Sequence, residues 1–161
     1  MSTKKDKFSI KDKLYMELAL DLAKSRIGHT GSNPSVGCVI VKDDKIISIG
    51  QTSFNGRPHA EYNAIKNCHE NTKGSKIYVT LEPCCHNGET APCTSAIINS
   101  KISEVIYSIN DIDQRVKGKS KKILNSKNII VKTGLLKKKF HNFTIHIFII
   151  ENTSYLLLQE K

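Results

Sequence analysis

Residues 76–109 read KIYVTLEPCCHNGETAPCTSAIINSKISEVIYSI, and this stretch decides the fold. KIYVTL is a short apolar run with β-branched and aromatic residues, so it reads as a buried strand. EPCCHNGETAP is a loop by its Pro, Gly and Asn content, CTSAIINS is helical, and EVIYSI is a second buried strand. Alternating strands and helices are the signature of an α/β protein.

Working outward, residues 11–26 (KDKLYMELALDLAKSR) set Leu14, Leu18, Leu22, Ala19 and Ala23 at helical spacing between charges, an amphipathic first helix. IGHTGSNPSVG must turn before VGCVIV begins a buried strand, and Lys42–Lys45 reads as a hairpin turn into KIISIG. HAEYNAIKNC, residues 59–68, is a helix whose first turn carries His59 and Glu61, with Pro58 suited to the start. GKSKKILNSK is helical and NIIVKTG is a last strand. The order α, β-hairpin, α, β, α, β, α, β predicts a three-layer α/β/α sandwich around one mixed, roughly five-stranded sheet.

The chain has 161 residues, enough for one compact domain with a real core and too few for two ordinary ones. The segment MSTKKDKFSIKDK has no apolar run behind its basic residues, and no stretch is apolar enough to span a bilayer. A cytoplasmic protein with no membrane partner is expected. The net charge of +10 raises the question of nucleic acid, but the basic residues are nearly all scattered lysines, with arginine only at 26, 57 and 115. A nucleic-acid surface uses clustered arginine and interleaved aromatics, so a solvated surface is the reading, with a residual field favouring a small phosphorylated substrate. Five cysteines, at 38, 68, 84, 85 and 93, are an odd number in a chain with no export signal. Metal binding or burial therefore replaces disulfides as the question.

The chemistry lies in His59-Ala60-Glu61 at one helix start, Pro83-Cys84 after a strand, and Pro92-Cys93 at the next helix start. One imidazole and two thiolates suit Zn2+, and three protein ligands leave a fourth position open, as in catalytic rather than structural sites. One zinc per chain, held by His59, Cys84 and Cys93, would activate water at neutral pH. Glu61 would move the protons, to a ring nitrogen and to departing ammonia. Singly, any of these residues reads as ordinary packing, and Cys84 with Cys93 alone could be part of a structural metal site. Cys38 reads as core, Cys68 as the close of a helix, and Cys85 has no evident partner. His86, between the two zinc cysteines, must be near the pocket mouth.

Together MELALDLAKSRIGHTGSNPSVGCVIV, GRPHAEYNAI, YVTLEPCCHNGETAPC and DIDQRVKG from Asp111 resemble the deaminase domain of the bacterial bifunctional riboflavin-biosynthesis proteins, a branch of the cytidine-deaminase superfamily. The eight-residue gap between Cys84 and Cys93 is the discriminating feature. The resemblance implies hydrolytic deamination of 2,5-diamino-6-(5-phosphoribosylamino)pyrimidin-4-one to the 5-aminouracil ribotide and ammonia. It also implies that Asn33 hydrogen-bonds the pyrimidine, that His86 and Asp111 lie near the ribose phosphate, and that the chain is a homo-oligomer. Two positions depart from the family: Thr52 replaces a histidine and Glu89 a cation, with Lys117 or Lys119 as candidate compensating charges. The reductase domain that commonly follows is not recognisable, so NADPH is not expected, and a separate reductase is a candidate partner. Residues 1–140 are read as the zinc-dependent deaminase domain and 141–161 as an atypical tail. Codons for 143–161 read one base out of phase can spell the linker into a missing reductase. Two other functions stay open: a nucleoside or nucleic-acid base deaminase on the same scaffold, and an inactive zinc-binding remnant or partner subunit.

Overall fold

The computed structural model describes residues 7–88 and 90–140. They run α1 (Ile10–Lys24), β1 (Gly37–Lys42), β2 (Lys45–Gln51), a 3-10 turn (Phe54–Gly56), α2 (Ala60–Lys66), β3 (Lys76–Leu81), α3 (Cys93–Asn99), β4 (Glu104–Ile109), α4 (Lys119–Ser126) and β5 (Ile130–Thr133). The strands form one sheet in the order β2-β1-β3-β4-β5. β1 is antiparallel to both β2 and β3, whereas β3, β4 and β5 are parallel. The expected mixed five-stranded sheet is present. The reading of residues 141–161 as a tail lies outside the described residues.

Two apolar clusters fill the two faces of the sheet. On one, Met16, Ala19 and Leu20 of α1 meet Val39, Tyr78, Ile106 and Phe140. On the other, Ala60 and Ala64 of α2, Ile97 of α3 and Leu124 of α4 cover Ile40, Ile77, Val79 and Tyr107. Each large side chain so buried contributes roughly 1.5–3 kcal/mol. Alternation along the strands explains the division, since Tyr78 and Ile106 face one layer while Ile77, Val79, Val105 and Tyr107 face the other.

The stripe of α1 is rotated from the one its leucines suggested. Leu14 is 58% exposed, and the buried positions are Met16, Ala19, Leu20 and Ala23. Gly37 is the reason: a Cβ there would lie 1.8 Å from Ala19 O, so the helix backbone rests directly on β1. Only the small-residue side of the helix permits that approach. Ser9 and Asp12 begin α1 with a reciprocal capping box.

Candidate active site

Three chain segments deliver the metal-ligand set to the carboxyl ends of β3 and β4, beyond which crevices form in α/β sheets. His59 is the N-cap of α2, Cys84 lies in the loop leaving β3, and Cys93 is the first residue of α3. His59 Nδ1 lies 3.6 Å from Cys84 Sγ and 3.5 Å from Cys93 Sγ, and the three donor atoms fall within 4.8 Å of one another. Zn–S bonds of about 2.3 Å and a Zn–N bond of about 2.0 Å at a tetrahedral angle place nitrogen and sulfur roughly 3.5 Å apart. The donor set therefore fits zinc in type and spacing.

The loop is held so that the donors converge. The Cys93 N–H donates to Cys84 Sγ at 3.3 Å, and the Thr94 N–H to Cys84 O at 3.1 Å. The Cys93 thiol beside it, joined by His59 and then by the Cys93 N–H, draws the Cys84 thiol down to about 4 against the effect of burial. Cys93 is pushed up by the same pairing and by burial, so Cys84 ionises first. The bond to Cys84 raises the His59 imidazole. Metal binding takes the remaining thiol proton, as coordination requires.

Glu61, one position into α2 from its first residue, is 4% exposed. Burial, and after it the charge on Cys84, push its carboxyl up to about 7. A carboxyl that both takes and gives a proton near neutrality has the property general acid–base chemistry needs.

These groups open into a cavity of about 470 Å³ whose wall includes Asn33, Thr52, His59, Glu61, Glu82 and Cys84. His86 and Asp111 lie on the same wall. All the residues expected at the site from sequence are thus gathered in one place, with Cys93 buried behind Cys84. Asn33 sits on Gly56, where a Cβ would come within 2.3 Å of Asn33 Nδ2. The Nδ1 of His86 is buried and has no hydrogen-bond partner among the described residues.

The two departures resolve differently. Thr52 is 1% exposed, and its hydroxyl is spent on the loop that carries Asn33, accepting from the Val36 N–H at 2.9 Å and lying 3.2 Å from Pro34 O. It shapes the cavity and adds no charge. Glu89 lies outside the described residues. Lys117 and Lys119, the candidate compensating charges, are not among the residues lining the cavity, whose described cationic residues besides histidine are Arg57 and Arg115. Lys117 and Lys119 are exposed where the chain enters α4.

Among the cavity residues that sequence reading missed are Glu82, Arg57, Arg115 and Phe140. Glu82 had a signal, an acid between an apolar strand and a ligand cysteine. Phe140 had none, because it reaches the cavity only through the return of the chain after β5. Cys85 has a partner after all, its thiol donating to Arg115 O at 3.7 Å, and Cys38 is core as expected, at 0% exposure. No helix among the described residues is long and apolar enough to cross a membrane.

Residues 9–109 match the family model for the cytidine and deoxycytidylate deaminase zinc-binding region. The diaminohydroxyphosphoribosylamino-pyrimidine deaminase of Buchnera aphidicola subsp. Schizaphis graminum is 44% identical over 139 residues, covering 86% of this chain and 95% of that protein. The riboflavin biosynthesis protein RibD of Aquifex aeolicus is 41% identical over 150 residues, 92% of this chain but only 42% of the relative's length. Among solved structures, a diaminohydroxyphosphoribosylaminopyrimidine deaminase/5-amino-6-(5-phosphoribosylamino)uracil reductase from Thermotoga maritima superposes with a TM-score of 0.80 at 32% identity, covering 89% of this chain and 42% of that one.

Proposed function

The chain belongs to the cytidine and deoxycytidylate deaminase zinc-binding family, in the branch of the diaminohydroxyphosphoribosylaminopyrimidine deaminases, and from that membership we propose that it hydrolyses the ring amino group of 2,5-diamino-6-(5-phosphoribosylamino)pyrimidin-4-one. The products are 5-amino-6-(5-phosphoribosylamino)uracil and ammonia, a step in riboflavin biosynthesis. The observation that carries the reading is the convergence of His59, Cys84 and Cys93 donors beside the buried carboxyl of Glu61, all opening on one cavity. The unit that does this is the segment through residue 140.

His59, Cys84 and Cys93 would hold one zinc ion, which when bound would supply the Lewis acidity that makes water a nucleophile near neutral pH. Glu61 receives one proton of the attacking water and places it on the ring nitrogen, then carries the second, from the hydroxyl added to the ring carbon, to the departing amine as the C–N bond breaks and the carbonyl forms. Asn33, fixed on Gly56, hydrogen-bonds the pyrimidine and orients its amino-bearing carbon toward Glu61. His86 and Asp111 line the side of the cavity that receives the ribosyl phosphate. The low exposure of Glu61 keeps bulk water from competing for its proton.

Zinc per chain and ammonia released from the diaminopyrimidine ribotide, measured for the wild type and for Glu61→Gln, test this. The expected result is one zinc in both proteins and ammonia from the wild type alone. Zinc without ammonia in the wild type would overturn the substrate assignment, and ammonia from Glu61→Gln at the wild-type rate would overturn the proton-transfer role.

A further inference from the structure

Asparagine followed by glycine occurs twice in this chain, at Asn55-Gly56 and at Asn87-Gly88. The pair is chemically labile, because the glycine nitrogen has no adjoining Cβ to hinder its attack on the asparagine side-chain carbonyl. Whether the attack happens in the folded protein depends on whether the peptide between the two residues is free to turn. The structure separates two pairs that the sequence leaves equal.

At Asn55-Gly56 the backbone is locked. Asn55 has a φ of +62°, and its N–H donates to His29 O at 2.9 Å. The Gly56 N–H donates to Ser53 O at 3.0 Å, Gly56 is buried, and the Asn33 side chain fills the space where its Cβ would lie. The attacking nitrogen is engaged, and a ring closes there only after the turn opens. Asn87-Gly88 lies instead in the loop from Cys84 to Cys93, with both residues exposed. The Gly88 N–H has only a long contact, 3.4 Å to Thr90 O, and the Asn87 side chain has no hydrogen bond among the described residues. Arg57 Nη2, at 3.5 Å, is the one described atom within 4 Å of where a Gly88 Cβ would be, so this peptide has room to turn.

The ends of the same loop are fixed. The Cys93 N–H donates to Cys84 Sγ and the Thr94 N–H to Cys84 O, so chemistry at the middle of the loop leaves the metal-ligand set assembled. What the middle does touch is the cavity. His86, Gly88 and Thr90 line it, and Arg57, whose Nη1 donates to Thr90 Oγ1 at 2.9 Å, lies along the loop.

We propose that Asn87 is a site of spontaneous deamidation, and that the folded protein modified there keeps its metal site while its cavity wall is altered. The Gly88 nitrogen attacks Asn87 Cγ, the new N–Cγ bond closes a succinimide ring, and the Cγ–Nδ2 bond breaks. The displaced nitrogen leaves as ammonia, carrying the proton that the Gly88 nitrogen gives up. Water, the sole co-reactant, then opens the ring. Cleavage between Cγ and the Gly88 nitrogen gives aspartate at position 87. Cleavage between the α-carbonyl carbon and that nitrogen gives isoaspartate, whose main chain runs through Cβ and is longer by a methylene. Either product places a carboxylate one residue from the point where Arg57 meets the loop, and isoaspartate also displaces Gly88 in the wall.

Zinc-loaded protein is incubated in mildly alkaline buffer, folded and in guanidinium chloride, and peptide-mapped by mass spectrometry, with an isoaspartyl-directed methyltransferase assay on the same samples. In the folded protein Asn87 should gain the mass of an amide-to-acid exchange roughly tenfold faster than Asn55 or more, because Asn55 waits on a local opening. In guanidinium chloride the two should convert at similar rates. Equal rates in the folded protein, or an Asn87 that converts only when the chain is unfolded, overturn the proposal. Zinc per chain should hold constant as the modified fraction grows, and zinc lost in step with modification would contradict the fixed loop ends. The effect on the cavity is read through ammonia release from the diaminopyrimidine ribotide and so rests on the deaminase reading. The KM should rise in step with the modified fraction in the wild type and stay constant through the same incubation in Asn87→Ser. A modified wild type with an unmoved KM would overturn the effect on the cavity. The peptide map needs no turnover, so conversion at Asn87 in a protein that never releases ammonia from the ribotide would sink the deaminase reading alone.

Discussion

The Glu82 carboxylate accepts the Ser120 hydroxyl at 2.7 Å, across 38 residues of sequence. The same carboxylate also accepts the N–H groups of Gly118 at 2.9 Å, Ser120 at 3.3 Å and Asp111 at 3.3 Å. Gly118, the N-cap of α4, has no side chain to cap with, so Glu82 caps α4 from the end of β3. The turn bearing Asp111, Asp113 and Arg115 is thereby pinned to the loop bearing Cys84.

Replacing Glu82 by Ala should leave those buried N–H groups without an acceptor, at a cost of roughly 2–4 kcal/mol from several lost bonds, each about 1 kcal/mol or more. Urea denaturation of the zinc-loaded protein reads this directly. Because Asp111 and Arg115 are released while His59, Cys84 and Cys93 are not, KM should rise more than kcat falls, with zinc per chain unchanged. An unaltered urea midpoint would refute the trans-capping role.

Gly56→Ala should impair substrate binding without touching the metal. A Cβ at residue 56 would meet Asn33 Nδ2 at 2.3 Å and Thr30 O at 2.6 Å, on a backbone with φ of +89° that side-chain-bearing residues rarely adopt. Asn33 must then move. The expected outcome is a KM increase of about tenfold or more, comparable to the loss of a good hydrogen bond, with zinc content retained. A crystal structure of the variant with Asn33 in place would contradict it.

His59→Ala and Cys93→Ser should each lower zinc affinity enough that dialysis against a chelator strips the metal from the variants faster than from the wild type. Zinc binding is linked to folding stability, so the wild-type melting temperature should fall on chelation while that of each variant should barely change. Atomic absorption and a thermal melt, with and without chelator, check both halves. Cys85→Ser serves as the control, since its thiol bonds Arg115 O and no metal ligand.

Stability below neutral pH should depend on Asp12. Burial works to raise this carboxyl, but hydrogen bonds from Tyr78, at 2.6 Å, and from Ser9 outweigh it, so its folded value lies below 3.8. A depressed folded value means that the unfolded chain binds the proton more readily. The stabilisation is therefore present above about pH 4 and is lost as pH falls through the folded value. The gap between wild type and Asp12→Asn in urea midpoint should be widest near neutrality and close toward pH 3. A gap independent of pH would exclude a charge effect.

By itself the sequence determined the order of elements, because periodicity and turn residues are local properties of the chain. It also determined the ligand types, because His59, Cys84 and Cys93 stand at element boundaries where few structural reasons put them. Hydrophobic pattern could not fix the rotation of α1: the leucines look like the buried stripe, and only the close approach of Gly37 to Ala19 turns Leu14 outward. The cations of the cavity were equally beyond reach. Lysine is everywhere in this chain, and which basic side chains line the cavity depends on how the 56–58 and 110–118 segments fold back over it. Glu82 reads in sequence as one more acid. Its role as the cap of α4 exists only because parallel pairing of β3 and β4 brings the end of β3 to the start of a helix 38 residues away.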